Sequence, residues 1–479
     1  MAAGSEVRSG AMTRLMILWA LAALMAVPLW MVHGVVVERN AYHARVIADI
    51  AHGTAGDQTV VGPLLLVRYR ERVRPHEGAG AGGRPAEAER IVQRDLVVVP
   101  ESLAIEAHAS VEARYRGIYH TQLVHSRNSL AAAFRVAPRY GLPDTRDILG
   151  FDPPLLVVGI ADARGLRRTP TVTIDGRAAE VRPGAELVLR TPGGSGRSGD
   201  LGLRQGFSAP LPGALESGGT FRAAIALDLI GTRSLAFSPV GRESRIEMRS
   251  PWPHPSFTGE FLPERRSVGR DGFTAGWQLS DFATNVETAV RQYSEADGPP
   301  GREAGGQPVG GVLQLPSVGA EFIQPVDVYQ QSERAVKYGM LFIGLTFVAF
   351  FLFEVLRRLE IHPVQYALVG LALAVFFLLV ISLSEHIPFA AAYLIASAGC
   401  VGLIAFYVGH VMRGAARGLG VGAMLGVLYA VLYVLLQSED FALLLGSLLV
   451  FGVLALVMIV TRRFDWYRMK PAAAAPLQD

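Results

Sequence analysis

Residues 364–383 read VQYALVGLALAVFFLLVISL, twenty positions without one charge. An α-helix needs about 20 apolar residues to cross the hydrocarbon core of a bilayer. This stretch therefore places the chain among membrane proteins, and others like it lie on both sides. Residues 339–356, 388–408, 419–436 and 441–459 form runs of similar length and character. A sixth, residues 15–37, lies near the start. Its length of about 23 residues exceeds the roughly 7–15 of a signal-peptide core, so it reads as an uncleaved anchor. Pro28 and Gly34 are compatible with such a span, because neighbouring helices can satisfy freed backbone groups.

The joints between runs set direction, since Lys and Arg are retained on the cytoplasmic side. Arg8 and Arg14 precede the first run, Arg357 and Arg358 follow the second, and Arg413 and Arg417 separate the fourth from the fifth. Arg462, Arg463, Arg468 and Lys470 follow the last, where Trp466 and Tyr467 suit the interface. The alternate joints, residues 384–387 and 437–440, carry no Lys or Arg. The expectation is a multi-pass inner-membrane protein with six transmembrane α-helices, one N-terminal and five C-terminal, and a large β-rich periplasmic domain. Its parts are a cytoplasmic N-terminus (1–14), a transmembrane anchor helix (15–37), a periplasmic β-rich domain (38–338), a five-helix transmembrane bundle (339–460) and a cytoplasmic tail (461–479). Both termini are then cytoplasmic.

The long polar segment opens with a pattern (Val46, Ile47, Ile50) that continues the first helix to about His52. Strands follow. From Leu103 to Tyr115 apolar and polar residues alternate strictly, which predicts a half-buried antiparallel strand. Residues 221–229 repeat the alternation, and Asp271-Gly272 reads as a hairpin turn feeding residues 273–279. Residues 59–68, 95–99, 155–160 and 187–189 are further candidates, giving a large sandwich or two sheet-containing lobes. The Gly/Pro-rich stretches 78–85, 192–199 and 298–311 read as surface excursions.

Composition excludes several functions. Of 479 residues, 51% are hydrophobic and the net charge is only +3, with Lys at positions 337 and 470 alone, so nucleic-acid binding has no support. The single cysteine, Cys400, allows neither a disulfide framework nor a Cys-based zinc site. Gly78, Gly80 and Gly83 have dinucleotide-motif spacing, but Pro85 follows where a helix should start. No Gly-Lys pair, nucleophile elbow or H-E-x-x-H pair occurs. His108, His120 and His125 are near neighbours without helical spacing and read as strand-face residues, as do His43 and His52. Pro251 to Phe257 contains three prolines and reads as a stiff edge segment packing Trp252 and Phe257. Gly418, Gly422, Gly426 and Ala430 place small residues on one helix face for close packing. Glu354, near the end of its run, has Arg357 and Arg358 within helical reach. No run carries a charge at its centre, which weighs against ion-coupled transport. No catalytic, cofactor-binding or metal-ligating residue is assigned, and no cofactor.

A family resemblance emerges from the local wording. The chain resembles the CreD family of inner-membrane proteins at Gln324-Pro325-Val326-Asp327, Glu333-Arg334-Ala335-Val336-Lys337-Tyr338-Gly339, His362-Pro363-Val364-Gln365-Tyr366, Ser382-Leu383-Ser384-Glu385-His386 and Gln437-Ser438-Glu439-Asp440. The likeness extends to Arg114-Tyr115-Arg116-Gly117-Ile118-Tyr119, Val158-Gly159-Ile160-Ala161-Asp162 and Trp252-Pro253-His254-Pro255-Ser256-Phe257. The resemblance implies a cell-envelope integrity protein in the output of a two-component system, linked to colicin tolerance, envelope maintenance and β-lactam response. It implies no enzymatic activity.

Three readings remain. The first is a non-enzymatic envelope stress-response protein with the lipid bilayer and envelope or peptidoglycan-associated proteins as partners. The second is a transporter or accessory protein handling a lipid or solute. The third is an envelope-modifying enzyme drawing acid/base residues from the joints, chiefly Glu385 and His386.

Overall fold

The computed structural model describes residues 16, 20, 21, 23–73, 90–116, 119–185, 187, 189–190, 205–213, 215–295, 301–302, 308–309, 313–323, 328–357, 362–411, 414–437 and 442–462. The chain divides into two units, Arg45–Pro325 and Met1–Ala44 with Val326–Asp479. The Gly/Pro-rich stretches 78–85 and 192–199 and most of 298–311 lie outside the described residues, as do Arg8, Arg14, Arg358, Arg413, Arg463, Arg468, Trp466, Tyr467, Lys470 and the side chain of Glu354.

The helices are α1 (Ala26–Gly53), α2 (Asp281–Thr284), α3 (Val286–Glu295), α4 (Val328–Arg357), α5 (Pro363–Ser384), α6 (Phe389–Val411), α7 (Ala415–Gln437) and α8 (Ala442–Thr461). The strands are β1 (Gln58–Val73), β2 (Arg90–Val98), β3 (Ser102–Arg116), β4 (Tyr119–Val136), β5 (Ile148–Phe151), β6 (Leu155–Ile160), β7 (Thr171–Ile174), β8 (Arg177–Ala178), β9 (Arg182–Pro183), β10 (Leu189–Arg190), β11 (Gly206–Pro210), β12 (Gly219–Thr232), β13 (Ser234–Ser238), β14 (Glu243–Ser250), β15 (Pro255–Gly259), β16 (Arg265–Gly269), β17 (Gly272–Ser280), β18 (Gly301–Arg302), β19 (Pro308–Val309), β20 (Leu313–Gln314) and β21 (Val318–Phe322).

Two large sheets build the Arg45–Pro325 unit. One has nine strands, in the order β15-β21-β13-β1-β6-β11-β9 with β2 and β5 also paired to β1. The other has eight, in the order β16-β17-β14-β3-β4-β12-β7-β8. Residues of both sheets, Leu64 and Phe237 from the first and Ile105, Phe134 and Trp277 from the second, belong to one continuous hydrophobic cluster. This is the sandwich reading rather than the two-lobe one. Strand β1 carries the near-unbroken apolar run expected of a strand covered on both faces, and its residues from Val60 to Val67 are buried throughout. Helix α3 contributes Val286, Val290 and Tyr293 to that cluster, and the Val97 N–H donates to Ser294 Oγ at 3.2 Å. Burial pushes the Tyr293 phenol up to about 12; the Asp95 carboxylate adds to this and Arg68 opposes it.

Period-two alternation in β3 sends Leu103, Ile105, Ala107 and Ala109 inward and Ala104, Glu106, His108 and Ser110 outward. The predicted pairing needs one correction. Strand β3 is antiparallel to β4 but parallel to β14, so the sheet is mixed. The hairpin of β16 and β17 pairs Gly269 with Gly272 across Arg270 and Asp271, so the turn sits one residue earlier than expected. Gly272 has φ +122° and a Cβ there would lie 2.0 Å from the Ser250 carbonyl oxygen, so only glycine fits.

The helical unit packs around buried aromatics. Phe342, Phe376, Phe377, Tyr393 and Tyr429 form edge-to-face contacts, among them Phe376–Tyr429 at 4.5 Å. The Tyr393 hydroxyl donates to the Tyr429 carbonyl (2.7 Å), and the Tyr429 hydroxyl donates to Cys400 Sγ (3.2 Å), so each buried polar atom is used. Helix α1 enters the same cluster through Leu29, Val32 and Val36, and Met25 just before it joins them at the same spacing. Among the described residues, α5, α6 and α7 meet the length and hydropathy needed to cross a membrane, and α8 contains the shorter apolar segment Leu444–Ile459. Helix α4 starts at Val328, eleven residues before the apolar run at 339, because its first turns are polar and end in the Glu333–Lys337 pair at 2.9 Å.

Candidate functional site: a groove on the eight-stranded sheet

The solvent face of the eight-stranded sheet has a floor and walls set by side-chain size. Its central strands present Ala104, Ala131, Ala133, Ala224 and Ala226, bordered by Arg245 of β14 and Gln278 of β17 on one side and by Thr173 of β7 and Arg222, near the start of β12, on the other. Small residues between long ones leave a trough, which holds a cavity of about 790 Å³ over the alanines. Further along the same face lies a second, of about 980 Å³.

Register builds the larger cavity. One row across the sheet pairs Ser267 with Thr274, Thr274 with Arg249, Arg249 with His108, His108 with Arg127 and Arg127 with Asp228. Paired strands lie about 4.7–4.9 Å apart, so Arg249 and Arg127 rise from points roughly 10 Å apart with His108 between them. The chain before β7 runs along the edge of β12: Leu166 bridges Leu229, and the Arg167 N–H donates to the Asp228 carbonyl at 3.1 Å. That contact brings Arg167 and Arg168 to the cavity wall. His125 also lines it, with Nε2 at 3.1 Å from Glu112 Oε2.

Four guanidinium groups face two carboxylates, Asp228 and Asp271, in this lining. Such a surface binds anions through forked N–H donors. It holds no hydroxyl–imidazole pair among the described residues: Ser110 Oγ donates to the His125 carbonyl at 3.5 Å, not to a ring nitrogen. The histidines at 108 and 125 are strand-face residues, as their spacing predicted. Arg127, Arg167, Arg168 and Arg249 were not singled out from the sequence. The Arg167-Arg168 dipeptide was the one local signal available; the rest depends on register.

The other singled-out residues lie elsewhere. Glu385 caps the end of α5, and its Oε1 is 3.5 Å from Arg39 Nε of α1. His386 Nδ1 is 3.2 Å from the Ser382 carbonyl and not within reach of the Glu385 carboxylate in any described bond. The pair is therefore occupied by helix ends rather than joined as acid and base. Trp252 Nε1 donates to the His254 and Ile323 carbonyls, and Phe257 packs edge-on against Phe273 and Trp277, on the edge strand β15. The stiff-edge reading holds. Gly418 and Gly422 pack against α6, where a Cβ at 418 would meet the Ala405 carbonyl oxygen at 2.5 Å, but Gly426 faces open space. The predicted small-residue face is thus half as long as expected, and beyond it the contact of α6 with α7 passes to Tyr429, which bonds Tyr393 and Cys400.

A second built cluster sits where α1 hands over to β1. The Asp162 carboxylate accepts from the Gly56 N–H (3.0 Å), the Arg164 N–H (3.1 Å) and the Arg164 side chain (2.6 Å). Gln58 Nε2 donates to the carbonyls of Asp162 and Ile230. Burial on its own raises the Asp162 carboxyl, but the Arg164 side chain and the two backbone N–H groups outweigh it and hold the group below its usual range.

Among solved structures, an M1 zinc metallopeptidase from Deinococcus radiodurans aligns with 38% of this chain and 38% of its own at 10% identity and a TM-score of 0.19. A protein from Legionella pneumophila described as nutrient-binding aligns with 52% of this chain and 77% of its own at 10% identity and a TM-score of 0.21. Neither score carries an argument about fold or function. The inner membrane protein CreD of Escherichia coli (strain K12) is 35% identical over 448 residues, 93% of this chain and 91% of that relative. The family model described as inner membrane protein CreD matches residues 10–467. With apolar helices, a β-rich unit and a match over nearly its whole length, the chain belongs to the CreD family of inner membrane proteins.

Proposed function

We propose that this chain is a non-enzymatic cell-envelope integrity protein that spans the inner membrane six times, with both termini cytoplasmic and residues 38–338 in the periplasm. The carrying observation is the ion pair of Arg39 with Glu385. It sets residue 39, just past the first apolar run, level with the arginine-free joint after α5. Both positions fall on the outer side when the arginine-bearing joints are cytoplasmic. Glu385 also balances the one basic residue that follows the first run directly on that side.

The open groove supports a binding role for the exported unit, because long side chains on a sheet surface suit a contacted ligand or partner better than an enclosed reaction. Envelope or peptidoglycan-associated proteins are the expected partners, and β-lactam stress and colicin tolerance the expected settings. Photoreactive residues at Tyr115 and Trp252 test this in living cells. The reading expects discrete crosslinked products containing envelope proteins, together with increased β-lactam sensitivity on deletion. Absence of both would contradict it.

A further inference from the structure

We propose that the cavity along Arg249, His108 and Arg127 is a binding site for a phosphate-ester anion carrying at least two negative charges. The first ground is uncompensated charge. Other arginines of this unit have acid partners: Arg135 with Glu101 at 3.0 Å, Arg242 with Glu287 at 2.9 Å, Arg182 with Glu180 at 3.2 Å. Arg127, Arg167 and Arg168 have no carboxylate within ion-pair distance among the described residues, although they converge on one cavity from two segments. Arg249 reaches Glu247 at 3.3 Å, but Glu247 is shared with Arg245. Four guanidinium groups against two carboxylates leave an excess of positive charge in the lining, and a bound dianion offsets it.

The second ground is shape. The floor offers Arg249, His108 and Arg127 from below, and the wall offers Arg167 and Arg168 from the side. A tetrahedral phosphoryl group has oxygens to meet donors from several directions, and guanidinium forks engage them two at a time. A carboxylate has two oxygens in one plane and a single charge, so it satisfies fewer of these donors. Asp228 and Asp271 stand at opposite margins of the cavity, which leaves the seat for the anion in the middle of the row. The volume of about 980 Å³ has room for a substituent on the phosphate and lies at the upper end of ligand-site volumes. This inference is independent of topology, since it needs only the folded unit.

Isothermal titration of the full chain, purified in an uncharged detergent at low salt, with inorganic pyrophosphate as the probe tests it. Saturable binding is expected, weakened at least tenfold by Arg127→Gln and by Arg249→Gln. Arg135→Gln on the same sheet face, and acetate as the probe, serve as controls: the first leaves affinity unchanged and the second does not bind. Melting curves of all three variants confirm the fold. Dispersed phosphatidic acid, whose headgroup is a phosphate monoester, identifies a lipid as the source of the phosphate if it displaces pyrophosphate; no displacement identifies a soluble ester. Absence of saturable binding, or equal weakening by Arg135→Gln, would overturn the proposal.

Discussion

The two units of this chain bury and expose opposite kinds of residue. In Arg45–Pro325, the apolar side chains face a shared core and the outward faces of the strands carry Arg, Glu, Ser and His. In the helical unit, large apolar residues also cover the outside: Trp30, Phe406 and Leu419 are each more than 70% exposed. Its buried polar groups are few and bond within the unit, Thr346 to the Phe342 carbonyl and Ser384 to that of Ile381 inside their own helices, Tyr393 and Tyr429 between α6 and α7. The contrast tells which solvent each unit meets. Water rewards the first distribution, and hydrocarbon, which offers no hydrogen bonds, rewards the second. Substitutions chosen on each side of the contrast should therefore act on one unit and leave the other alone.

The largest effect is expected from Phe134→Ala. Phe134 is buried and stacked on Phe221 at 4.7 Å, so its loss should cost about 3–5 kcal/mol. Hydrogen exchange should show lost protection across the two sheets with α5 to α7 unaffected. Gly418→Val should do the reverse. Its side chain must displace the Ala405 carbonyl or the Gly409 backbone, at a cost of about 1–3 kcal/mol, read as faster exchange in α6 and α7 only.

These substitutions also mark what could be read from the sequence. The helical runs were legible because lipid demands uninterrupted apolarity, and β3 was legible because every second residue is apolar. Strand β4 was not. Its inward positions include Ser126 and Asn128, both buried, and its outward ones include Ala131 and Ala133, so the alternation is blurred. The groove needs that missed strand. It assembles residues from β3, β4, β12, β14 and β17, and only pairing brings His108 beside Arg127 and Arg249. Sequence likewise treated the first helix as a separate anchor. In the structure Met25 and Leu29 fit against Gly370 and Gly339, a close approach that needs both glycines and that neither segment announces alone.

Smaller effects test the junctions. Asp162→Asn should cost about 1.5 kcal/mol by weakening charge-assisted bonds to Gly56 and Arg164. Because the folded carboxyl lies below its usual value of 3.8, the stabilisation is fully present above that value and fades as pH falls through the folded one. Acid titration of unfolding should show this loss in the native chain and lack it in the variant. Arg39→Gln should change stability by less than about 1 kcal/mol, since Arg39 is half exposed and its pair with Glu385 is long.

The membrane crossing itself is most directly tested by cysteine labelling. In a Cys400→Ala background, Tyr115→Cys places a thiol on an exposed β3 residue of the sheet unit. An impermeant maleimide applied to cells with a permeabilised outer membrane and an intact inner one should label this thiol, while a thiol added at the C-terminus stays unlabelled until the inner membrane is opened. Protection of position 115 with labelling of the C-terminus would contradict the account.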